Sequence, residues 1–277
     1  MIDPAQDTAK PRGATTALHL SGRDALPLLQ KISTNALLDL PSGGARATLF
    51  CDFRGRLQHR ALVYLARNRT VWLLRDDAPG AELAAFLDRH VFREDVTIQD
   101  LSSSLLVSRD PRLPDTSEED GTPRRVVCGA DRFAVGVSAP PSDERERILA
   151  GRPAHGHEIV EAYNPFEVGL GDEVHLDKGC YTGQEALQRL ITYHSVRRRP
   201  ARVEGRGPAP ATPAALEWEG ERGGAVTSAI ADSETRWIGL AVVRSERLGA
   251  RAIPTLSGVP LASSPVALEA PRPLGRP

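Results

Sequence analysis

The sequence predicts an α+β fold, with antiparallel-sheet and helix subdomains followed by a small C-terminal β-barrel. Three observations predict it. Helical and strand-like segments come in αβββαβ-like order and are joined by hairpin turns, which argues against a doubly wound parallel sheet. An acidic, proline-rich stretch at 110–123 and a Pro/Ala stretch at 206–215 break the chain. After the second break, strand-like segments recur with Gly and Pro turns and no helix, the pattern of a small barrel. The expected division is 1–200, two α+β subdomains with a linker near 110–123, and 201–277, the barrel domain.

Each element has its own signal. Leu18 to Ser21 reads as a short strand. Ser21 and Asp24 then form a capping-box-like pair before a helix with Ala25, Leu28, Leu29 and Ile32 on its apolar face, although Pro27 interrupts the stripe. Strands are expected at 47–51, 57–65 and 70–74, with turns at Asp52–Gly55 and Ala66–Arg69. A helix over 81–91 turns Leu83, Phe86, Leu87 and Val91 inward, and strands follow at 96–101 and 105–108. Segments 125–128 and 133–137 form a hairpin, and Ser142 caps a helix to Leu149. In the barrel, strands are expected at 216–218, 225–230 and 237–243, with Trp218 and Trp237 in the core.

Bulk properties exclude several classes. With 35 basic and 36 acidic residues the 277-residue chain carries a net charge of −1, so charge implies neither direct DNA binding nor a membrane surface. No apolar run reaches the ~20 residues of a membrane span. The leader Met1–Gly13 lacks the apolar region of a secretory signal, and a cytoplasmic, monomeric protein is expected. Cys51, Cys128 and Cys180 are too few and too widely spaced for a self-contained iron–sulfur cluster. His155, His157 and His175 show no ligand spacing, so no metal site is expected. Only Lys10, Lys31 and Lys178 are lysines, so a lysine at 178 stands out against an otherwise arginine-based basic set.

The segment 163–199 carries the chemistry. Thr182-Gly183-Gln184-Glu185 is a capping-box pattern, followed by the apolar face Ala186, Leu187, Leu190 and Ile191, so a helix is expected from about Gly183. Cys180 precedes that N-terminus by two residues, with Gly179 free to turn and Lys178 close by. A helix N-terminus and a neighbouring cation both favour a thiolate, which makes Cys180 and Lys178 the candidate catalytic pair.

Lys178-Gly179-Cys180-Tyr181-Thr182-Gly183-Gln184-Glu185 resembles the signature of the YgfZ family, folate-dependent proteins of iron–sulfur maintenance related to the glycine-cleavage aminomethyltransferases. Arg147–Gly151 with Gly156–Glu158, Asn164–Leu170, Thr34-Asn35, Asp52–Arg56, Gly224–Ser228 and Ile238–Val243 extend the resemblance from about Leu18 to Val243. The resemblance implies three subdomains around a central cavity for tetrahydrofolate or a derivative, with the motif cysteine facing it. It implies iron–sulfur client enzymes, tRNA-modifying ones among them, as partners. Arg189 joins the motif residues, and Thr34, Asn35, Arg56, Arg147 and Glu167 match positions near the folate. The basic run Arg197–Arg199 fits a folate polyglutamate tail, an RNA-bound partner or, more simply, a solvated strand end.

One departure bears on chemistry. The related aminomethyltransferases carry an acidic pair in a hairpin near the folate nitrogen, and here His59 and Arg60 stand at the equivalent place. Without that carboxylate, stabilising a cationic methylene-transfer intermediate is difficult. Two alternatives to the accessory role stay open: an aminomethyltransferase of the glycine-cleavage type, and a non-catalytic folate-binding scaffold.

Overall fold

The computed structural model describes residues 15–136, 142–248 and 254–266. Met1–Gly13, Val137 and the tail beyond 266 lie outside the described residues. Three sheets, antiparallel throughout, organise the rest. The first contains β1 (Thr16–Ser21), β2 (Ala45–Cys51), β3 (Leu57–Leu65), β4 (Val71–Arg75) and β5 (Thr97–Asp100), in the order β2-β3-β4-β1-β5.

This sheet is buried on both faces, which explains why β3 and β4 read as nearly continuous apolar runs. Ala61, Val63 and Leu65 of β3 meet α1 (Ala25–Ile32) and α2 (Gly80–Asp88) through Leu28, Leu29, Leu83 and Leu87. The alternate residues Leu62 and Tyr64, with Trp72 and Leu74 of β4, pack on Val107, Val126, Phe133 and Val135. Those four belong to the second sheet, β6 (Leu106–Arg109), β7 (Ser117–Glu119), β8 (Thr122–Cys128) and β9 (Asp131–Gly136), ordered β6-β9-β8-β7.

Several local expectations need correction. The 110–123 stretch is no simple linker, since it contains β7 and the start of β8. The polar tips of buried aromatics hold it: the Tyr64 hydroxyl donates to Glu118 at 2.5 Å, and Trp72 Nε1 donates to the Gly121 carbonyl at 2.9 Å. At α1 the Ser21/Asp24 box does not form. Asp24 is the N-cap but makes no side-chain cap bond, and its carboxylate accepts from the Asp95 amide instead. Pro27 falls in the first turn, where a missing N–H costs no intrahelical bond. For α3 (Glu144–Leu149) the cap is Asp143, whose carboxylate accepts from the amides of Arg145 and Glu146, while Ser142 donates to Asp76.

The third sheet runs β15-β14-β11-β12-β13-β10-β16, from β10 (Arg198–Arg206), β11 (Ala214–Trp218), β12 (Glu221–Ser233), β13 (Arg236–Arg244), β14 (Thr255–Leu256), β15 (Val259–Pro260) and β16 (Ala262–Pro265). β15 and β16 lie at opposite ends of this order, yet only Leu261 separates them in the chain. The sheet therefore curls until its edges meet, a half-barrel rather than a fully hydrogen-bonded barrel. Trp218 and Trp237 fill it with Val203, Leu216, Val226 and Leu261. β10 begins at Arg198, so the expected junction at 200/201 falls inside a strand.

The architecture is mostly β, and its four α-helices among the described residues are short. The α+β expectation holds only in part. Between the second and third sheets, segment 155–187 supplies a further core. Ile159, Tyr163, Phe166, Val174 and Tyr181 pack against Leu49, Cys51 and Leu57 of the β2–β3 hairpin and against Val242 of β13.

Candidate functional site

Two polar clusters interrupt this apolar interior. The first surrounds Arg75, the one charged residue of β4. Its Nε donates to Thr16 Oγ1 at 2.9 Å and its Nη2 to the Pro79 carbonyl at 2.5 Å. Its Nη1 lies 3.3 Å from His59 Nδ1 and 3.2 Å from His155 Nε2. A guanidinium only donates, so both facing ring nitrogens must accept. His59 therefore holds its proton on Nε2. His155 holds its proton on Nδ1, which lies 2.9 Å from Asp77 Oδ1. Burial, helped by Arg75 and His155, depresses His59 to about 3, and the ring is neutral at pH 7. Burial also pulls Arg75 down to about 10. Burial raises the Asp77 carboxyl, but His155 and Arg75 outweigh it and hold the group ionised.

The second cluster centres on Arg60. Its Nε lies 2.9 and 3.0 Å from the two Glu173 oxygens, and its Nη2 is 2.6 Å from Glu173 and 2.5 Å from Asp131. Asp131 also accepts from Arg109 Nη1 at 2.8 Å, and Arg109 Nε reaches Asp76 at 3.2 Å. A continuous ion chain thus runs from the turn Gly171–Glu173 through the first sheet into the second. Burial lifts Glu173 to about 7 despite Arg60. It also raises Asp131, where Arg60 and Arg109 together win and hold the carboxyl below its ordinary value. The amide of Arg60 donates to His155 Nε2 at 3.1 Å and so joins the two clusters. Among the described residues, Arg60 Nη1 and His59 Nε2 make no hydrogen bond, and the Arg60 side chain stays 18% exposed.

The cysteine loop is built differently. Cys180 is exposed, whereas Cys51 is buried and Cys128 half-buried, and burial raises both of those thiols. The Lys178 ammonium turns to the Gln30 carbonyl of α1 at 2.5 Å and lies over the Tyr181 ring at 5.0 Å. Gln30 Nε2 returns a bond to the Lys178 carbonyl at 3.0 Å. Burial lowers Lys178 to about 7, so it is a half-neutral amine near neutral pH rather than the full cation expected. The Tyr181 hydroxyl is buried without a hydrogen-bond partner among the described residues.

The expected capping box is absent. Helix α4 (Gln184–Thr192) has Gly183 as its N-cap, with φ +83°, and no side chain caps it. A Cβ at Gly183 would stand 2.5 Å from the Asp52 carbonyl, so the loop packs directly on the β2–β3 turn and the backbone must take the left-handed conformation there. Thr182 instead donates its amide to the Lys31 carbonyl. Glu185 is exposed, 3.9 Å from Arg189, and Gln184 donates to the Leu176 carbonyl.

The expected folate-binding residues are engaged within the protein. All five N–H donors of Arg147 have partners: Glu144 twice, the Arg152 carbonyl, Glu158 and Ser228. Glu167 closes a capping box with Asn164 and pairs with Arg198 at 2.8 Å and Arg56 at 3.5 Å. Thr34 bonds the Glu173 carbonyl, and Asn35 bonds the Ala47 carbonyl. The structure therefore brings Arg56 and Glu167 together but places Arg147 in a separate tie to the half-barrel. Sequence reasoning missed Arg75, Asp77, Asp131 and Glu173, and took Glu158 only as part of a matching stretch. Their signal was a charge set inside or just after an apolar run, as in Val71–Arg75. Among the described residues, no cluster of three or more His, Cys, Asp or Glu is placed to hold a metal ion.

No family model matches the chain. A chloroplastic Arabidopsis thaliana protein that bears a transferase name is 45% identical over 20% of this chain and 13% of its own length. The aminomethyltransferase of Symbiobacterium thermophilum is 25% identical, covering 61% of this chain and 60% of the relative. That of Bacillus pumilus is 26% identical over 62% of this chain and 61% of the relative. The chain thus spans well under two thirds of the length of the curated relatives it matches. Among solved structures, the glycine cleavage system aminomethyltransferase T of Bartonella henselae superposes with a TM-score of 0.73. That superposition covers 92% of this chain and 84% of that one at 16% identity. The chain is similar in sequence to aminomethyltransferases over about three fifths of its length and has the aminomethyltransferase fold.

Proposed function

We propose that this chain binds tetrahydrofolate or a derivative and acts as an accessory factor in the assembly or repair of iron–sulfur proteins, with Cys180 as its working thiol. The observation that carries this reading is the exposed Cys180, held on a glycine-framed loop of an aminomethyltransferase-like fold. The fold and the homology support the folate. The Lys178–Glu185 signature supports the client class and a cytoplasmic site of action. A buried thiol is inert, whereas this one is presented to solvent and can reach a partner's cluster or sulfur.

The named relatives favour a second reading, aminomethyl transfer. Arg60 argues against it: a guanidinium stands where the resemblance calls for an acid, and it is committed to Glu173 and Asp131. The test is genetic and biochemical. Deleting the gene should lower iron–sulfur enzyme activities, wild-type chain should restore them, and Cys180→Ala should not. Glycine-cleavage turnover comparable to that of an ordinary aminomethyltransferase, or full rescue by Cys180→Ala, would contradict the proposal.

A further inference from the structure

We propose that Gln30 is the positioning residue of Cys180: it fastens the thiol's loop to the end of α1 and joins that loop to the segment carrying Thr34 and Asn35. The inference rests on the reading of Cys180 as the working thiol and adds what holds that thiol in place.

A helix ends in carbonyls that have no partner inside it. At the end of α1 the amides that would continue the ladder turn away: Thr34 donates to the Leu49 carbonyl and Asn35 to Thr48 Oγ1. The cysteine loop takes their place. The Gln30 carbonyl accepts from Lys178 Nζ at 2.5 Å, and the Lys31 carbonyl accepts from the Thr182 amide at 3.3 Å. A cation there is also favoured by the helix dipole. The half-buried Gln30 side chain adds two bonds. Its Nε2 donates to the Lys178 carbonyl at 3.0 Å, and its Oε1 accepts from the Leu37 amide at 2.7 Å. One residue of α1 therefore holds Lys178 by both its side chain and its backbone. Between the anchors at Lys178 and Thr182, Gly179 and Cys180 stand exposed, and a Cβ at Gly179 would meet nothing within 4 Å. The placement of the thiol is thus set by the anchors on either side of it. Through Leu37 the same side chain reaches the segment where Thr34 bonds the Glu173 carbonyl and Asn35 the Ala47 carbonyl.

The test is hydrogen exchange of the full chain, read by NMR, with an acylation profile of Lys178. Gln30→Met keeps the length of the side chain and removes both of its bonds. Exchange at Leu37 and Thr182 should rise by at least about fivefold, with the amides of β3 and β4 unchanged. The midpoint of Lys178 acylation should climb from about 7 towards the ordinary ~10.4 as the amine returns to water. The variant should also restore iron–sulfur enzyme activities less well than wild type in a deletion strain. The wild-type chain gives a check that needs no variant: the Gln30 side-chain amide protons should exchange more slowly than those of free glutamine. Free-glutamine rates there, or unchanged exchange and midpoint in Gln30→Met, would overturn the tie. A rise in exchange spread evenly over the chain would make Gln30 a general stability residue and overturn its positioning role, as would a loosened loop with full rescue. If Cys180→Ala rescues fully while Gln30→Met loosens the loop, the working-thiol reading fails and the tie stands.

Discussion

Three residues carry predictions of their own. Cys180 is exposed while burial raises the other two thiols, so an alkylating reagent near neutral pH should label Cys180 first and Cys51 last. Mass spectrometry of a time course reads the order, and early labelling of Cys51 would contradict the burial described. Lys178, lowered to about 7, should acylate near pH 7 well before Lys31 under limiting reagent. Equal rates would show that its amine is an ordinary surface cation. His59 gives a pH dependence. Its folded value of about 3 lies below the unfolded ~6.5. Between those values the unfolded chain takes up a proton that the folded ring refuses, so stability falls as pH drops from 6.5 towards 3. His59→Phe should flatten that part of the melting-temperature profile, and an unchanged slope would assign it to other groups.

At the scale of elements, α4 shows how a correct position can have a wrong cause. Its start near Gly183 was legible from the apolar face of Leu187 and Leu190. The Thr182–Glu185 box offers itself as the reason, because the pattern is local and visible in sequence. What positions the helix is long-range: the Asp52 carbonyl lies where a Gly183 Cβ would go. Gly183→Ala should therefore cost more than the ~1–2 kcal/mol of a left-handed residue alone. Thermal or urea melts would show it, and a loss under ~0.5 kcal/mol would mean the loop relaxes freely. The same reasoning separates the strands. β3 and β4 were legible because both faces are apolar. β7 was not, because its acidic sequence reads as loop, and its place depends on Tyr64 and Trp72 from another sheet.

At the scale of the molecule, polar ties connect regions that the sequence shows as separate. Arg60 and Arg109 link the first two sheets, and Arg147 and Glu158 link α3 to β12 through Ser228 and Thr227. Partner identity across such distances is set by folding, not spacing, which is why Glu173 and Asp131 could not be read from the chain while the Cys180 loop could. The α+β expectation overstated the helices, because short helices against two-sided sheets leave the structure mostly β. What holds at this scale is the aminomethyltransferase fold, and the claim built on it is a reduced-folate site. The most direct test is to titrate the purified full chain with tetrahydrofolate by calorimetry, alongside a thermal melt at saturating ligand. The account predicts saturable binding at one site and a raised melting temperature, since a ligand of the native state must stabilise it. No heat and no shift at saturation would contradict it.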